Sequence, residues 1–216
     1  MIPPTGIRQR FEQITPVSDQ TWDRLTAYAS HLAHWQKTLN LVAPSTLPVL
    51  WERHLLDSWQ TLPLVSPDLS GSSATPGPLV DFGSGAGLPG LVLAIAGVPG
   101  VHLIESNHRK TAFLRFAAEQ TGASCRIISA RAESVREPAL TSVPVITARA
   151  LAALPDLLHM TLPFCGPETR LLFPKGRHWR EEVEAAEQRY SFSLTIHESV
   201  TDPEAVILEL QSLTER

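Results

Sequence analysis

At 216 residues the chain has the length of one domain with room for a terminal extension, and its 43% hydrophobic content suffices for a full core. No stretch reaches the roughly 18 consecutive apolar residues that a bilayer span needs. A net charge of −4 excludes a protein that coats nucleic acid through bulk charge, but not one with a local basic patch; 15 of the 18 basic residues are arginines, which suit bidentate phosphate contact. Met1-Ile2-Pro3-Pro4-Thr5 has no basic segment leading into an apolar one, so no secretory signal is expected. Cys125 and Cys165 are too few for a disulfide framework or a zinc cluster and are expected as buried free thiols. A cytoplasmic protein without a metal is the expectation.

The first 65 residues read as helical. Ser18-Asp19 caps a helix expected to run to about Leu41, with Trp22, Leu25, Ala29, Leu32, Ala33, Trp35 and Leu39 at steps of three and four. Pro44-Ser45-Thr46 breaks it, and a second helix is expected over about Thr46 to Leu62. Residues 66–78, rich in Pro, Ser and Gly, predict a flexible linker. The division is therefore a helical extension over 1–65, a linker over 66–78 and a catalytic domain over 79–216.

Beyond the linker, strands and helices alternate. Strands are predicted at Leu79–Phe82, Val101–Glu105, Cys125–Ser129, Val143–Ala148 and Thr169–Pro174, with helices at Pro89–Ala96, Arg109–Thr121, Leu154–Phe164 and His178–Tyr190 between and after them. Two more strands, about Phe192–Glu198 and Ala205–Leu210, form a closing hairpin that can set the last strand antiparallel at an inner position. Such alternation predicts an α/β fold with a mostly parallel sheet covered on both faces and ligands at the carboxyl ends of the strands.

The segment Leu79-Val80-Asp81-Phe82-Gly83-Ser84-Gly85-Ala86-Gly87-Leu88-Pro89-Gly90 puts four glycines just after the first of these strands. Read from Gly85 it fits G-x-G-x-x-G, a dinucleotide pattern; read from Asp81 it fits D-x-G-x-G-x-G, the loop of S-adenosylmethionine (SAM) methyltransferases. A pyrophosphate needs free backbone amides and no neighbouring anion. Asp81, expected to face the ligand, favours SAM, which carries a sulfonium and an ammonium instead of phosphates. Glu105, at the end of the second strand, can accept the two ribose hydroxyls of an adenosine and serves either cofactor. Ala130-Arg131-Ala132-Glu133 would cover the adenine, with backbone amides at Ala132 or Glu133 reading its edge. Arg149, after the fourth strand, stands at the reactive end as a candidate for a substrate or cofactor carboxylate, with a structural salt bridge as the alternative. Lys175, Arg177 and His178 share that rim. His54 and Asp57, three apart, share a helix face, either as a local contact or as part of a helix that docks over the site and offers Arg53 and His54 to phosphates.

These residues resemble the RsmG (GidB) family of bacterial 16S rRNA guanine-N7 methyltransferases. The resemblance rests on Trp35…Asn40-Leu41, Arg53-His54-Leu55-Leu56-Asp57-Ser58, Asp81…Gly83-Ser84-Gly85-Ala86-Gly87-Leu88-Pro89-Gly90, Glu105-Ser106, Arg131-Ala132-Glu133, Arg149-Ala150 and Lys175-Gly176, in that order. The R-H-x-x-D-S element and the Leu-Pro-Gly ending are the specific parts. The resemblance implies a Rossmann-like SAM-dependent methyltransferase with a seven-stranded sheet and an N-terminal helical extension; a monomer is the separate expectation. It implies methyl transfer to N7 of the guanine at position 527 of 16S rRNA, free or in the small ribosomal subunit, with no membrane partner. It puts SAM contacts on Gly83, Leu88, Ala132, Glu133 and Arg149; Asp81, Ser84, Gly85, Gly87 and Glu105 complete the expected cofactor site. Arg149 is the candidate catalytic residue, and Arg53, His54, Arg109, Lys110, Lys175 and Arg177 the candidate RNA contacts. Many members carry Thr-Gly-Pro in place of Ser84-Gly85-Ala86 and Asp in place of Glu105. The alternatives are an NAD-dependent oxidoreductase, for which no Tyr-x-x-x-Lys pair is visible, and a non-catalytic module that binds SAM or RNA during ribosome assembly.

Overall fold

The computed structural model describes residues 1–65 and 78–216, so the expected linker, Pro78 apart, lies outside the described residues. Helices α1 (Ile7–Ile14) and α2 (Asp19–Trp35) open the chain. α2 begins where Ser18 Oγ accepts the Thr21 N–H at 3.1 Å, which satisfies one of the free amides of the first turn. It stops at Trp35 instead of Leu41, because the Gln36 side chain folds into the following turn. Its Oε1 accepts from the N–H groups of Leu41 and Val42 at 2.9 and 3.0 Å, and its Nε2 donates to Val42 O at 2.8 Å.

The second expected helix is broken into pieces: a 3-10 turn at Pro44–Val49, a π-helical turn at Trp51–Leu56 and the short helix α3 (Asp57–Trp59). Pro48, inside the first piece, has no amide to donate to a regular α-helix. Helix α4 (Leu62–Val65) follows. An aromatic cluster joins these pieces: Phe11 and Trp22 stand 5.5 Å apart between ring centroids, and Trp22 and Trp51 5.1 Å.

Seven strands form one sheet in the order β3-β2-β1-β4-β5-β7-β6. The parallel strands are β1 (Leu79–Phe82), β2 (Val101–Glu105), β3 (Cys125–Ser129), β4 (Val145–Ala148) and β5 (Arg170–Lys175). The closing hairpin is β6 (Tyr190–Glu198) and β7 (Val206–Glu215), and β7 enters antiparallel between β5 and β6, as the sequence allowed. Successive strand residues alternate between two cores. Leu79, Leu103, Val145 and Leu172 meet the N-terminal helices together with α5 (Gly90–Ile95) and α6 (His108–Thr121). Val80, Ile104, Ile146 and Phe173 meet α7 (Leu154–Thr161) and α8 (Trp179–Glu187). The N-terminal segment is thus one layer of the fold, since Phe11, Leu25, Leu32 and Trp59 share a core with α5 and α6.

The chain winds outward in opposite directions from β1, through β2 and β3 on one side and β4 and β5 on the other. A crevice at the carboxyl ends of β1 and β4 follows from that reversal. Among the described residues no helix is long and apolar enough to cross a membrane, and no group of three or more His, Cys, Asp and Glu could hold a metal ion. Both cysteines are half-buried free thiols, less enclosed than expected, and burial pushes them up to about 11 for Cys125 and about 12 for Cys165.

Candidate functional site

β1 delivers the chain at Phe82 into a loop whose glycines are required by geometry. Gly83 has φ +63°, and a Cβ there would lie 2.5 Å from Leu151 Cδ1. Gly90 has no positive φ, yet its Cβ would stand 2.4 Å from Leu103 Cδ2 and 2.7 Å from Asp81 Cβ, so α5 can seat on β1 and β2 only without a side chain at that position. The loop is fixed from several sides. Ser84 N–H donates to Ile104 O at 3.1 Å and Ser84 Oγ to Asp81 O at 2.9 Å. Tyr28, fully buried on α2, donates its hydroxyl to Ala86 O at 2.6 Å. Nothing in the sequence singled out Tyr28; its position on the buried face of α2 was the available signal.

Asp81 corrects one expectation. It is fully buried and lines neither cleft described below. Its Oδ1 accepts from Thr147 Oγ1 at 2.8 Å, while Oδ2 faces the backbone of Gly90 with no hydrogen-bond partner among the described residues. Burial pushes its carboxyl up to about 6, against the lowering effects of the Thr147 hydroxyl and its other neighbours. It therefore props up the loop from beneath and has no surface on either cleft. Gly87 likewise faces the core, where a Cβ would stand 2.6 Å from Leu91 Cβ.

The carboxylate that does bear on the choice of ligand is Glu105. Its Oε2 accepts the Gly85 N–H at 2.9 Å and its Oε1 the Asn107 N–H at 2.7 Å. The Gly85 amide that a pyrophosphate would need is thus spent on a carboxylate, and the anion itself sits beside the loop. Glu105, in place of Asp81, thus disfavours a dinucleotide. Each oxygen of Glu105 keeps accepting capacity for a further hydroxyl.

Two clefts meet at Gly83. The smaller, about 170 Å³, is lined by Glu105, Ala132, Glu133, Leu151 and Met160. The larger, about 690 Å³, runs over Ser84, Gly85, Ala86 and Leu88 to Arg149, then between the N-terminal layer (Asn40 to Thr46, His54, Asp57) and the β5 end at Pro174–Gly176. Leu151, against Gly83, stands at their junction; Ala150 before it takes φ +52°, a left-handed conformation rare outside glycine.

Arg149 projects into the larger cleft and is held there by the N-terminal layer. Its Nη1 donates to Asp57 Oδ2 at 2.6 Å and to Arg53 O at 3.2 Å; its Nη2 donates to His54 Nδ1 at 2.5 Å. The salt bridge with Asp57 is largely buried, the two side chains being 15% and 14% exposed. Asp57 Oδ1 accepts from Gln60 Nε2 and Thr201 Oγ1, which ties in the β6–β7 turn. The sequence placed His54 and Asp57 on one face; their shared partner is Arg149.

His54 and Lys175 correct two further expectations. His54 is 7% exposed, and both its ring nitrogens are occupied, by Arg149 and by Thr46 Oγ1 at 2.7 Å. Burial, then the Arg149 and Arg53 charges, push it down to about 3, so it is a neutral ring and not a phosphate-binding cation. Lys175 donates to Glu182 Oε2 at 2.6 Å and to Ala152 O at 2.9 Å, and its side chain is 8% exposed. It is a buried strut between β5 and α8. Of the other expected cations, Arg53 pairs with Asp202 at 2.8 Å on the rim. Arg109 reaches Thr38 O at 3.0 Å and stays exposed, Lys110 lines the larger cleft, and Arg177 is exposed after β5.

Comparison with known proteins points one way. The family model of GidB, rRNA small subunit methyltransferase G, matches residues 21–210. The ribosomal RNA small subunit methyltransferase G of Methylobacterium nodulans is 45% identical over 214 residues, covering 96% of each chain. The protein of that name from Paramagnetospirillum magneticum is 43% identical over 198 residues, covering 92% of each. Among solved structures, an O-methyltransferase from Bacillus cereus in complex with SAH superposes with a TM-score of 0.58 over 96% of this chain and 97% of that one, at 13% identity. A mutant of MtNAS in complex with S-adenosylmethionine gives 0.55 over 95% of this chain and 76% of that one, also at 13% identity. These two likenesses are of fold.

Proposed function

The chain belongs to the rRNA small subunit methyltransferase G family, and from that premise we propose that it transfers the methyl group of SAM to N7 of a guanine in the 16S rRNA of the small ribosomal subunit. The observation that carries this is the pair of clefts meeting at Gly83, with a carboxylate acceptor, Glu105, on one and a half-buried arginine, Arg149, on the other. The donor set suits SAM. Glu105 accepts ribose hydroxyls, Ala132 and Glu133 border the base, and Gly83, Ser84, Gly85 and Leu88 offer a surface that the chain can approach closely. Arg149 supplies a cation for the cofactor's carboxylate. When bound, SAM supplies a methyl group made electrophilic by the sulfonium.

The residues of this chain then have a positioning task. Guanine N7 carries a free lone pair and no proton, so transfer needs no general base; among the described residues that line the larger cleft, His54 is occupied at both nitrogens, Asp57 is paired with Arg149 and Glu182 with Lys175. Rate comes from holding donor and acceptor in line at about 3–3.5 Å. The product ring is cationic, which argues for Arg149 at the cofactor end and away from N7. RNA phosphates are met at the rim by Arg53, Arg109, Lys110 and Arg177, and the acceptor guanine enters unstacked, as single-stranded bases do when they are read. The net charge of −4 suits a substrate recognised as a folded particle. The protein acts in the cytoplasm, where ribosomes assemble, and as a monomer.

The test is a methyl-transfer assay with labelled SAM on small subunits lacking this methyl group, read as 7-methylguanine after digestion. Label in another nucleotide would sink the N7 assignment. Binding of NAD without SAM would return the dinucleotide reading, and SAM binding without transfer to any form of 16S rRNA would leave an assembly module.

A further inference from the structure

Arg149 has five N–H donors, and among the described residues three of them have acceptors: both on Nη1, through Asp57 Oδ2 and Arg53 O, and one on Nη2, through His54 Nδ1. The Nε–H and one Nη2–H are left, on a side chain that lines the larger cleft beside Gly83 and Ser84. We propose that Thr46, His54 and Asp57 are positioning residues that turn the free Nε/Nη2 donors of Arg149 toward the α-carboxylate of the cofactor, so that the N-terminal layer sets cofactor affinity without touching the cofactor. This rests on the SAM reading above.

The proton inventory defines the roles. A guanidinium can only donate, so His54 Nδ1 is the acceptor and the ring proton sits on Nε2. Nε2–H then donates to Thr46 Oγ1 at 2.7 Å, and the Thr46 hydroxyl donates onward to Ala43 O at 2.7 Å. Thr46 thereby fixes the tautomer that Arg149 requires; with the other tautomer two donors would face each other. Burial and the neighbouring arginines keep the ring neutral and able to accept. Asp57 supplies the counter-charge from the same layer and is itself braced by Gln60 and Thr201. The other cations bordering this cleft are differently placed. Lys175 is committed to Glu182, Arg53 is drawn to Asp202 on the rim, and Lys110 on α6 offers a point charge in place of a planar donor pair. A carboxylate takes two parallel N–H donors well, and the half-buried Arg149 has two to give.

Calorimetry with two ligands tests this: S-adenosylhomocysteine, which carries the carboxylate, and 5′-methylthioadenosine, which lacks the whole amino-acid arm. His54→Leu removes the acceptor and is expected to weaken S-adenosylhomocysteine roughly tenfold, the loss of one charge-assisted hydrogen bond's orienting effect, while 5′-methylthioadenosine changes by less than about twofold. His54→Asn, whose Oδ1 can stand in for Nδ1, is expected to recover most of the affinity. Thr46→Val, which keeps the size of the side chain, gives the same selective loss at a smaller scale and carries the test if His54→Leu fails to fold. Equal losses for both ligands, or none for S-adenosylhomocysteine, would overturn the proposal. Failure of the unaltered protein to bind either ligand would instead overturn the SAM reading on which it rests.

Discussion

The cleft beside Glu105 is made mainly by one run of chain, from the glycine loop through β2 to the turn after β3, and is closed by Leu151 and Met160; a carboxylate takes the Gly85 and Asn107 amides, and Leu151 packs where Gly83 admits it. The cleft beside Arg149 is made by side chains from segments far apart in sequence. Residues 46 to 57 hold Arg149 from across the molecule, and Thr201 in the hairpin turn braces Asp57. The first is close-packed and has no room for added atoms. The second is a polar network and has no tolerance for removed ones. The two therefore fail to opposite kinds of substitution.

The largest expected effect is on the close-packed side. Gly90→Val would drive carbon into Leu103 Cδ2 and Asp81, already 2.4 and 2.7 Å from where the first added atom would sit. Both neighbours are fully buried, so neither can yield cheaply. Overpacking of this kind, with the extra branch, should cost more than about 3 kcal/mol, and urea unfolding is expected to show a protein largely unfolded at 37 °C. A variant that unfolds with the midpoint of the parent would mean that α5 is not seated on β1 as closely as the contacts require.

On the network side, Asp57→Ala removes the partner of the half-buried Arg149 and leaves Thr201 and Gln60 with one acceptor fewer. Breaking a buried pair costs about 3–5 kcal/mol; with the two side chains 14–15% exposed the lower end is expected. The cost should appear in the unfolding free energy even without ligand. A loss under about 1 kcal/mol, the scale of an exposed pair, would mean that Arg149 is not held by the N-terminal layer.

The same contrast governs what could be read in the sequence. The strand positions, the closing hairpin and the glycine loop follow from local periodicity and from the spacing of Asp81, Gly83, Gly85 and Glu105, because each is made by residues close together in the chain. The larger cleft depends on where distant residues meet. The sequence marked Arg53 to Ser58 and Arg149 separately and put His54 and Asp57 on one face, but no spacing rule joins residue 54 to residue 149. It therefore assigned His54 and Lys175 to phosphates by residue type, whereas burial makes one a neutral acceptor and the other a strut. The break after Trp35 was missed because Gln36 looks helical and acts through its side chain. Asp81 was placed at the ligand from its position at a strand end; which face it took was fixed by the pleat, and that face holds α5.

Asp81 also gives a change that can be followed by pH alone. Burial raises its folded-state pKa from an ordinary 3.8 to about 6. Between those values the folded protein holds a proton that the unfolded chain has released, so stability falls as pH rises. Its contribution is complete below about 4 and is lost as the pH passes through 6. Asn at this position can still accept from Thr147 Oγ1 but does not titrate. The unfolding free energy of Asp81→Asn relative to the parent is therefore expected to rise between pH 4 and pH 7 by on the order of 3 kcal/mol, for a shift of about two units at ~1.4 kcal/mol each, whatever offset the amide introduces at pH 4. Chemical denaturation at several pH values gives the difference directly. Parallel stability curves would mean that Asp81 ionises in the folded state as readily as in water. The Gly90 amide would then have to be compensating the charge, and the loop would rest on an ionic support in place of a desolvated one.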